Sequence, residues 1–245
     1  MIEEGDRILV AVSGGKDSYT LLDLLEQLRR RSPVRFELVA CCVDQGYPGF
    51  RADVIEDYLR SGGYRYHIET TRIAATIRRK MDPKDTLCSL CARLRRGALY
   101  RLADELECGK IALGHHADDV IETLLMLQFF NGQIKAMPPV LRAENGRHTV
   151  IRPMVYVWER EVADYVKERE FPVVGSCPVP KDTFLQRRKI RRLLRRLEDC
   201  HPGVKASLLK ATRNIHLAYL LDPRFVAGAK GSGNPGAPRR NPLLI

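Results

Sequence analysis

The chain has 245 residues, a length that suits one large domain or one domain with a small appendage. Apolar residues make up 44% of it, which excludes an intrinsically disordered protein. No apolar run approaches the roughly 20 residues of a membrane helix, and the acidic N-terminus is too short for a signal peptide. We therefore expect a cytoplasmic protein that does not bind membranes. The net charge of +11 favours a polyanionic partner, although a merely soluble basic protein has the same property.

Predicted strands and helices alternate along the chain. In chain order the patterns predict strand 7–12, helix 18–30, strand 36–43, helix 52–60, strand 64–68, helices 72–80 and 88–107, strand 110–113, helix 118–130, strand 149–151, helix 159–169, strand 171–174, and helices 181–198 and 204–220. This order predicts an α/β fold with a doubly wound, mainly parallel sheet and a helical C-terminal extension.

The predicted elements and the composition divide the chain into three segments. We expect a nucleotide-binding domain at 1–180, a basic helical extension at 181–225 and a disordered tail at 226–245, since the tail is rich in Gly, Pro, Ala and Arg. Ligands of parallel sheets bind beyond the carboxyl ends of the strands. The chemistry is therefore expected just after Val12, Val43 and Leu113.

The segment Ser13-Gly14-Gly15-Lys16-Asp17-Ser18, here called the phosphate loop, lies between the first strand and the first helix. Its glycines let the backbone approach a ligand, and amides at a helix start favour phosphate oxygens. Lys16 adds a positive charge and the serines add hydroxyl donors. The segment is neither a Walker loop nor a dinucleotide fingerprint. A plain Gly-Gly turn is the alternative, but this combination of side chains favours phosphate binding.

Cys88 and Cys91 form a C-x-x-C pair at the start of a predicted helix, on one helix face. Helix position and neighbouring arginines favour the thiolate form. Zinc, a redox pair and an iron–sulfur cluster all remain open from this pair alone. Cys177 follows a predicted short strand and is the best third ligand. The remaining cysteines lack partner spacing and are expected to be buried or incidental: Cys41, Cys42, Cys108 and Cys200.

The run Gly114-His115-His116-Ala117-Asp118-Asp119 ends a strand and opens a helix. Carboxylates beside a polyphosphate suit Mg²⁺, so Asp119, and after it Asp118, is predicted to contact metal or substrate. Helix capping is the alternative for Asp118. Arg95, one turn beyond Cys91, could stabilise a negatively charged leaving group or simply be solvated.

The segment 181–197 contains eight Lys and Arg residues and one Asp, which is too one-sided for ordinary helix ion pairs. Such a helix favours contact with a nucleic-acid backbone over a merely solvated face. A membrane surface is less favoured, because no basic segment carries an aromatic apolar face. The residues predicted to contact the backbone are Arg187, Arg188, Lys189, Arg191 and Arg192.

The phosphate loop resembles the PP-loop of the N-type ATP pyrophosphatases. With Cys88–Gly97, Gly114–Asp119 and Met137-Pro138-Pro139, the chain is similar to the tRNA 2-thiocytidine synthetases over 7–194. The resemblance implies an adenine nucleotide alpha hydrolase-like fold, with a PP-loop ATP pyrophosphatase domain at 1–180. It also implies that Asp44 and His116 lie near bound ATP, although Asp44 is equally a turn residue and His116 equally a structural one.

The family resemblance further implies an enzyme, an ATP-dependent tRNA sulfurtransferase. It would adenylylate a cytidine at position 32, with Asp119, Asp118 and Arg95 as catalytic residues, and replace O2 with sulfur. The implied cofactors are Mg²⁺, with ATP as cosubstrate, and a [4Fe-4S] cluster on Cys88, Cys91 and Cys177. The implied partners are tRNA and a sulfur donor, either a cysteine desulfurase or free sulfide. A homodimer is compatible with the sequence.

Three other readings share these features. A 2-thiouridine synthetase typically adds zinc-binding Cys pairs at both ends, which this sequence lacks. An amine ligase of the lysidine-forming type needs no cysteines. A non-enzymatic tRNA-binding or redox-sensing cluster protein would bind no ATP. One departure from the resembling family is that Cys177 stands alone rather than within a second C-x-x-C-like segment.

Overall fold

The computed structural model describes residues 1–80, 87–143, 146–174, 185–222 and 224. The elements are β1 Arg7–Ala11, α1 Lys16–Arg31, β2 Glu37–Asp44, α2 Ala52–Ser61, β3 Tyr66–Thr70, α3 Ile73–Lys80, α4 Leu87–Glu105, β4 Lys110–Ala112, α5 Ala117–Asn131, β5 Val140–Arg142, β6 Thr149–Ile151, α6 Glu159–Arg169, α7 Leu185–Cys200, α8 Val204–Ala211 and a 3₁₀ turn at Leu217–Tyr219. None of the helices in this described part is both long and apolar enough to cross a membrane.

The six strands form one sheet in the order β3-β2-β1-β4-β6-β5. All neighbours are parallel except β5, which runs antiparallel to β6 at the edge. The chain moves outward from β1 through β2 to β3 and then returns to the other side of β1 as β4. The topological switch point therefore lies between β1 and β4, where open α/β sheets bind ligands.

Each face of the sheet is covered by its own apolar cluster. Ile8 and Val10 of β1 pack with residues of α1 and α2, whereas Leu9 packs with residues of α3 and α4 on the opposite face. Alternate residues of β2 divide in the same way, since successive side chains of a strand point to opposite faces. The doubly wound α/β fold expected from the sequence is confirmed.

A third apolar cluster joins α7 to α5. Ile190 and Leu194 of α7 pack against Ile121 and Leu125 of α5, and all four are buried. The basic helix is therefore held against the helix that begins with the His-Ala-Asp-Asp run. The predicted tail at 226–245 lies outside the described residues, as does the boundary near 180.

Two of the predicted elements differ from the structure, and one strand was not predicted. The segment 171–174 is not a strand: Pro172 has no amide to donate, and the Val174 amide donates to the Gly14 carbonyl (3.0 Å) instead of a sheet ladder. The edge strand β5 was missed because its three residues are all exposed and show no alternation. Helix α8 ends at Ala211 rather than 220, because the Arg213 and Asn214 amides bond to the carbonyls three residues earlier and form a turn.

Candidate active site

The phosphate loop connects the carboxyl end of β1 to α1, at the switch point of the sheet. Gly14 has a φ of +79°, and Gly15 caps α1 with an extended backbone. The Ser18 hydroxyl donates to the Gly15 carbonyl (2.8 Å) and accepts from the Ser13 amide (3.1 Å), which closes the loop over the first turn of α1. Unpaired amides at such a helix start attract anions. The loop therefore lies where the sequence placed the phosphate site.

Two glycines allow the backbones around this loop to approach closely. A Cβ on Gly14 would lie 2.0 Å from Cγ2 of Val174 and 2.9 Å from Cδ1 of Ile55. A Cβ on Gly114 would lie 2.9 Å from the Asp17 carbonyl oxygen. The chain after β4 consequently runs directly against the start of α1, which brings the His-His-Ala-Asp-Asp run to the phosphate loop.

Lys16 is held by two carboxylates. Its Nζ lies 2.6 Å from Oδ1 of Asp17 and 3.3 Å from Oε1 of Glu159. Burial lowers the pKa of Lys16, but the two carboxylates outweigh burial and the pKa lies above its ordinary value. Lys16 is therefore charged at neutral pH, as a phosphate-binding lysine must be.

Asp44 ends β2, the strand next to β1. Its Oδ1 accepts a hydrogen bond from the Gly46 amide (2.8 Å), and its carbonyl accepts one from the Thr71 amide (2.8 Å). These bonds are those of a strand-ending turn. The same position is at the ligand edge beside the phosphate loop, so a contact with adenosine stays a prediction that the geometry permits.

Cys91 reaches the same edge from α4. Its Sγ lies 2.7 Å from Oε1 of Gln45, the residue after Asp44, and the side chain is buried. Cys88 lies in the same helix, three positions earlier, within the first turn. The side chain of Cys88 and the whole of Cys177 lie outside the described residues, so the three-cysteine ligand set stays a prediction.

Three other cysteines are buried in the core, as expected from their spacing. Burial raises the pKa of the Cys41, Cys42 and Cys108 thiols, that of Cys42 to about 12 and that of Cys108 to about 11. Such thiols stay protonated and unreactive at neutral pH. Cys200, at the end of α7, is exposed.

The histidines and Asp119 lie at the start of α5. His116 is buried at the N-cap, and Oδ2 of Asp119 accepts a hydrogen bond from its amide (3.1 Å). The Nδ1 atoms of both His115 and His116 are buried without a hydrogen-bond partner among the described residues. Burial lowers the pKa of His115 to about 4, so its imidazole is neutral at physiological pH.

Asp118 is taken up by structural contacts. Its Oδ2 accepts from the Glu159 amide at the start of α6 (2.8 Å), and its Oδ1 lies 2.8 Å from Nζ of Lys205 on α8. Burial raises its pKa, but these two donors outweigh burial and the pKa lies below its ordinary value. Both oxygens of Asp118 are engaged at 2.8 Å, which favours a tethering role, whereas the contacts of the Asp119 carboxylate with the His116 amide and Arg187 are longer, at 3.1 Å and 3.4 Å.

Two arginines approach His115 from different elements. Arg95 of α4 is exposed and lies near enough for its charge to help lower the His115 pKa. Arg152, just after β6, is buried, and its Nη1 donates to the Pro138 carbonyl (2.8 Å). Burial, with the nearby charge of Arg96, lowers the pKa of Arg152. The carboxyl ends of β4 and β6 are thus bordered by positive charge.

The basic residues of α7 divide between two faces. Arg191 Nε lies 2.6 Å from Oε1 of the buried Glu122, and Arg187 Nη1 lies 3.4 Å from Oδ1 of Asp119. These two arginines face α5 and neutralise its acidic residues. The other three residues of the predicted set, Arg188, Lys189 and Arg192, are exposed. Two further arginines of α7, Arg195 and Arg196, are also exposed.

Several residues of this site were not named from the sequence. Gln45, Arg152 and Glu159 belong to no recognisable motif, and only the fold brings them to the sheet edge. For Glu122 the sequence gives one indication of a role at the site: it lies four residues after Asp118, on the same helix face. Its burial and its pairing with Arg191 could be learned only from the packing of α7.

The PP-loop domain family matches residues 2–197. A tRNA-cytidine(32) 2-sulfurtransferase from Geobacter sulfurreducens is 58% identical over 223 residues, which cover 91% of this chain and 87% of that protein. One from Pelobacter propionicus is 55% identical over 226 residues, covering 92% and 84%. The chain belongs to this PP-loop family of tRNA 2-thiocytidine synthetases. The resemblance drawn from the motifs is confirmed, and with it the expectation of a sulfurtransferase enzyme.

A solved structure of another protein confirms the fold of this chain. The U34-tRNA thiolase NcsA from Methanococcus maripaludis, determined with its [4Fe-4S] cluster, superposes with a TM-score of 0.67. The two are 24% identical, and the match covers 86% of this chain and 72% of that one. The likeness supports the same PP-loop α/β architecture.

Proposed function

We propose that the chain thiolates tRNA at cytidine 32, using ATP to activate O2 of the base and sulfur to replace it. One observation carries this proposal beyond the activity named for the relatives. The phosphate loop, the start of α5 and the cysteine end of α4 converge on one edge of the sheet, through the contacts of Gly114 with Asp17 and of Cys91 with Gln45. This convergence supports nucleotide, acid–base and thiol chemistry within one site.

The activation step uses the phosphate loop. Amides at the start of α1 and the ammonium of Lys16 would hold the β- and γ-phosphates. O2 of cytidine attacks the α-phosphate, the bond to pyrophosphate breaks, and AMP stays on the base. Asp119 would hold Mg²⁺, which when bound neutralises phosphate charge. Arg95, whose charge acts on His115 beside the loop, would stabilise the negative charge that develops as pyrophosphate leaves.

The substitution step needs sulfur at C2. The described residues fit a thiolate-bound cluster: Cys91 is buried at the sheet edge, and α4 places Cys88 three positions before it. Cys88, Cys91 and Cys177 would be the protein ligands, and a [4Fe-4S] cluster so bound supplies an iron without a protein ligand, at which sulfide can be held. Cytidine C2 loses AMP as the new carbon–sulfur bond forms. A cysteine desulfurase or free sulfide would supply the sulfur.

The exposed face of α7 would contact the tRNA backbone. Arg188, Lys189 and Arg192 are exposed, and α5, on which α7 packs, begins three residues after Gly114, whose backbone runs against Asp17 of the phosphate loop. Arginine suits phosphate recognition. The arginines that face α5, Arg187 and Arg191, would instead hold the helix in place.

The activation step is tested by release of pyrophosphate. Wild-type protein with Mg²⁺ and ATP is expected to release pyrophosphate only when unmodified tRNA is added, and Lys16→Ala is expected to lose this release. Cys200→Ala, which removes an exposed cysteine at the end of α7, should keep it. Release without tRNA, or full release by Lys16→Ala, would contradict the proposal.

The sulfur step is tested by comparing cysteine variants. Cys88→Ala, Cys91→Ala and Cys177→Ala should each lose the visible absorption of the anaerobically reconstituted protein and its bound iron and sulfide, while Cys200→Ala retains them. If the first three variants kept full tRNA-modifying activity, an amine ligase of the lysidine-forming type would be the better reading.

A further inference from the structure

A chain of ion pairs connects the phosphate loop to helix α7. Nζ of Lys16 lies 3.3 Å from Oε1 of Glu159, and the same oxygen lies 3.9 Å from Nη1 of Arg191. Nε of Arg191 lies 2.6 Å from Oε1 of Glu122 on α5. The carboxylate of Glu159 is therefore shared between the loop lysine and a lysine-and-arginine-rich helix.

The backbone of Glu159 is fixed independently of this carboxylate. Glu159 is the first residue of α6, and its amide donates to Oδ2 of Asp118 (2.8 Å). The side chains of Lys16 and Glu159 are only 32% and 34% exposed, so their attraction is less screened than that of a fully solvated pair. Glu159 can thus change partners without moving its helix.

We propose that Glu159 is a positioning residue that transmits occupancy of the phosphate loop to α7. This inference rests on the proposed function, because it takes the loop to bind the phosphates of ATP and α7 to contact tRNA. In the nucleotide-free protein the Glu159 carboxylate pairs with Lys16, so the phosphates of an incoming nucleotide must displace it. When phosphate oxygens take Lys16, the Glu159 carboxylate is left with Arg191 as its cationic partner on α7.

The direction of the effect follows from the charges. Arg191, held by Glu122 and more closely by Glu159, fixes α7 against α5. The exposed side chains on the other face of α7 are then presented in one arrangement, so less ordering is needed when tRNA binds. Bound nucleotide should therefore tighten tRNA binding. By linkage, bound tRNA must tighten nucleotide binding by the same factor.

The test uses Glu159→Gln, which removes the charge and keeps the backbone bond to Asp118. Titration calorimetry would measure binding of α,β-methylene-ATP with Mg²⁺, and filter binding would measure an unmodified tRNA transcript with and without that analogue. In wild type the analogue should tighten tRNA binding by about fivefold, the lower end of allosteric couplings. In Glu159→Gln the analogue alone should bind up to about fivefold tighter, since a competing surface ion pair is lost. In this variant the analogue should no longer tighten the binding of tRNA.

Two further variants separate this role from a merely structural one. Glu168→Gln removes an equal charge from an exposed position of the same helix and should match wild type in all three binding measurements. Glu159→Asp keeps the charge but shortens the reach to Lys16, so its coupling should fall between wild type and Glu159→Gln. Thermal unfolding of each variant shows whether its fold is retained.

These measurements separate failure of the proposed function from failure of the role proposed for Glu159. If wild type binds neither the analogue nor tRNA, the proposed function fails and the inference fails with it. If wild type binds both and Glu159→Gln retains the full coupling, only the inference is overturned. Weaker binding of the analogue to Glu159→Gln would also overturn it, because the carboxylate would then assist the nucleotide rather than compete with it.

Discussion

The phosphate loop requires a residue without a Cβ at position 14. Gly14 combines a positive φ with two side chains at the place where a Cβ would stand. We expect Gly14→Ala to lower the free energy of unfolding by about 1–2 kcal/mol from backbone strain and by about a further 1–3 kcal/mol from overpacking against Val174 and Ile55. Urea unfolding measures the sum.

Gly5 provides a matched control for this prediction. Its φ is +78°, close to that of Gly14, but no atom lies within 4 Å of a Cβ added there. Gly5→Ala should therefore show the strain alone, about 1–2 kcal/mol. Equal losses for the two variants would mean that the close approach of Val174 does not constrain the loop.

His115 gives the stability a dependence on pH. The folded protein holds the pKa of this imidazole at about 4, below its ordinary value of 6.5. Between these pH values the unfolded chain binds a proton that the folded chain does not, so stability should fall as the pH drops from 6.5 to 4. The loss should be on the order of 1–3 kcal/mol, and His115→Gln should remove it in urea unfolding measured across that range.

The control for the titration is His201→Gln, which removes an exposed imidazole between α7 and α8. This variant should retain the wild-type pH dependence between pH 4 and pH 6.5. A His115→Gln profile that matches wild type would show that another group causes the loss.

At the scale of elements, α7 has two functions on its two faces. Arg191 compensates the charge of Glu122, whose side chain is only 2% exposed. We expect Arg191→Gln to destabilise the protein by about 1–2 kcal/mol, the value of a charged hydrogen bond reduced by the partial exposure of Arg191. Urea unfolding checks this, with Arg192→Gln as the exposed neighbour that should change stability by less than about 0.5 kcal/mol.

The outer face of α7 should determine how tRNA binding depends on salt. Removing two phosphate contacts with Arg188→Gln and Arg192→Gln should reduce the slope of log K against log salt by about 2. The matched control removes Arg31 and Arg35, two exposed charges at the end of α1 and before β2, on the opposite edge of the sheet. A slope reduced equally by both pairs would indicate general charge attraction rather than contact with α7.

At the scale of the whole molecule, the sequence predicted the sheet edge at which the site lies. Residues after β1, β2 and β4 had to meet there, because parallel strands place their carboxyl ends together. The phosphate loop, Asp44 and the His115–Asp119 run do so. Cys91 joins them because α4 follows α3 on the face that packs against β2.

Other parts of the site depend on packing that the sequence does not encode locally. The direction of Arg187 and Arg191 follows from the docking of α7 on α5, which helical periodicity alone leaves undetermined. Glu159 reaches Lys16 across 143 positions of chain, and Asp118 of α5 contacts the start of α6 and Lys205 of α8. The edge strand β5 is too short and too exposed to leave a pattern.

The central claim is that one site uses ATP to put sulfur on cytidine 32. The most direct measurement is mass spectrometry of nucleosides from an unmodified tRNA transcript, incubated anaerobically with the reconstituted protein, Mg²⁺, ATP and sulfide. We expect 2-thiocytidine from the wild-type protein, none without ATP or with Lys16→Ala, and none from a transcript carrying uridine at position 32. No thionucleoside from protein with an intact cluster, or a thionucleoside elsewhere in the tRNA, would contradict it.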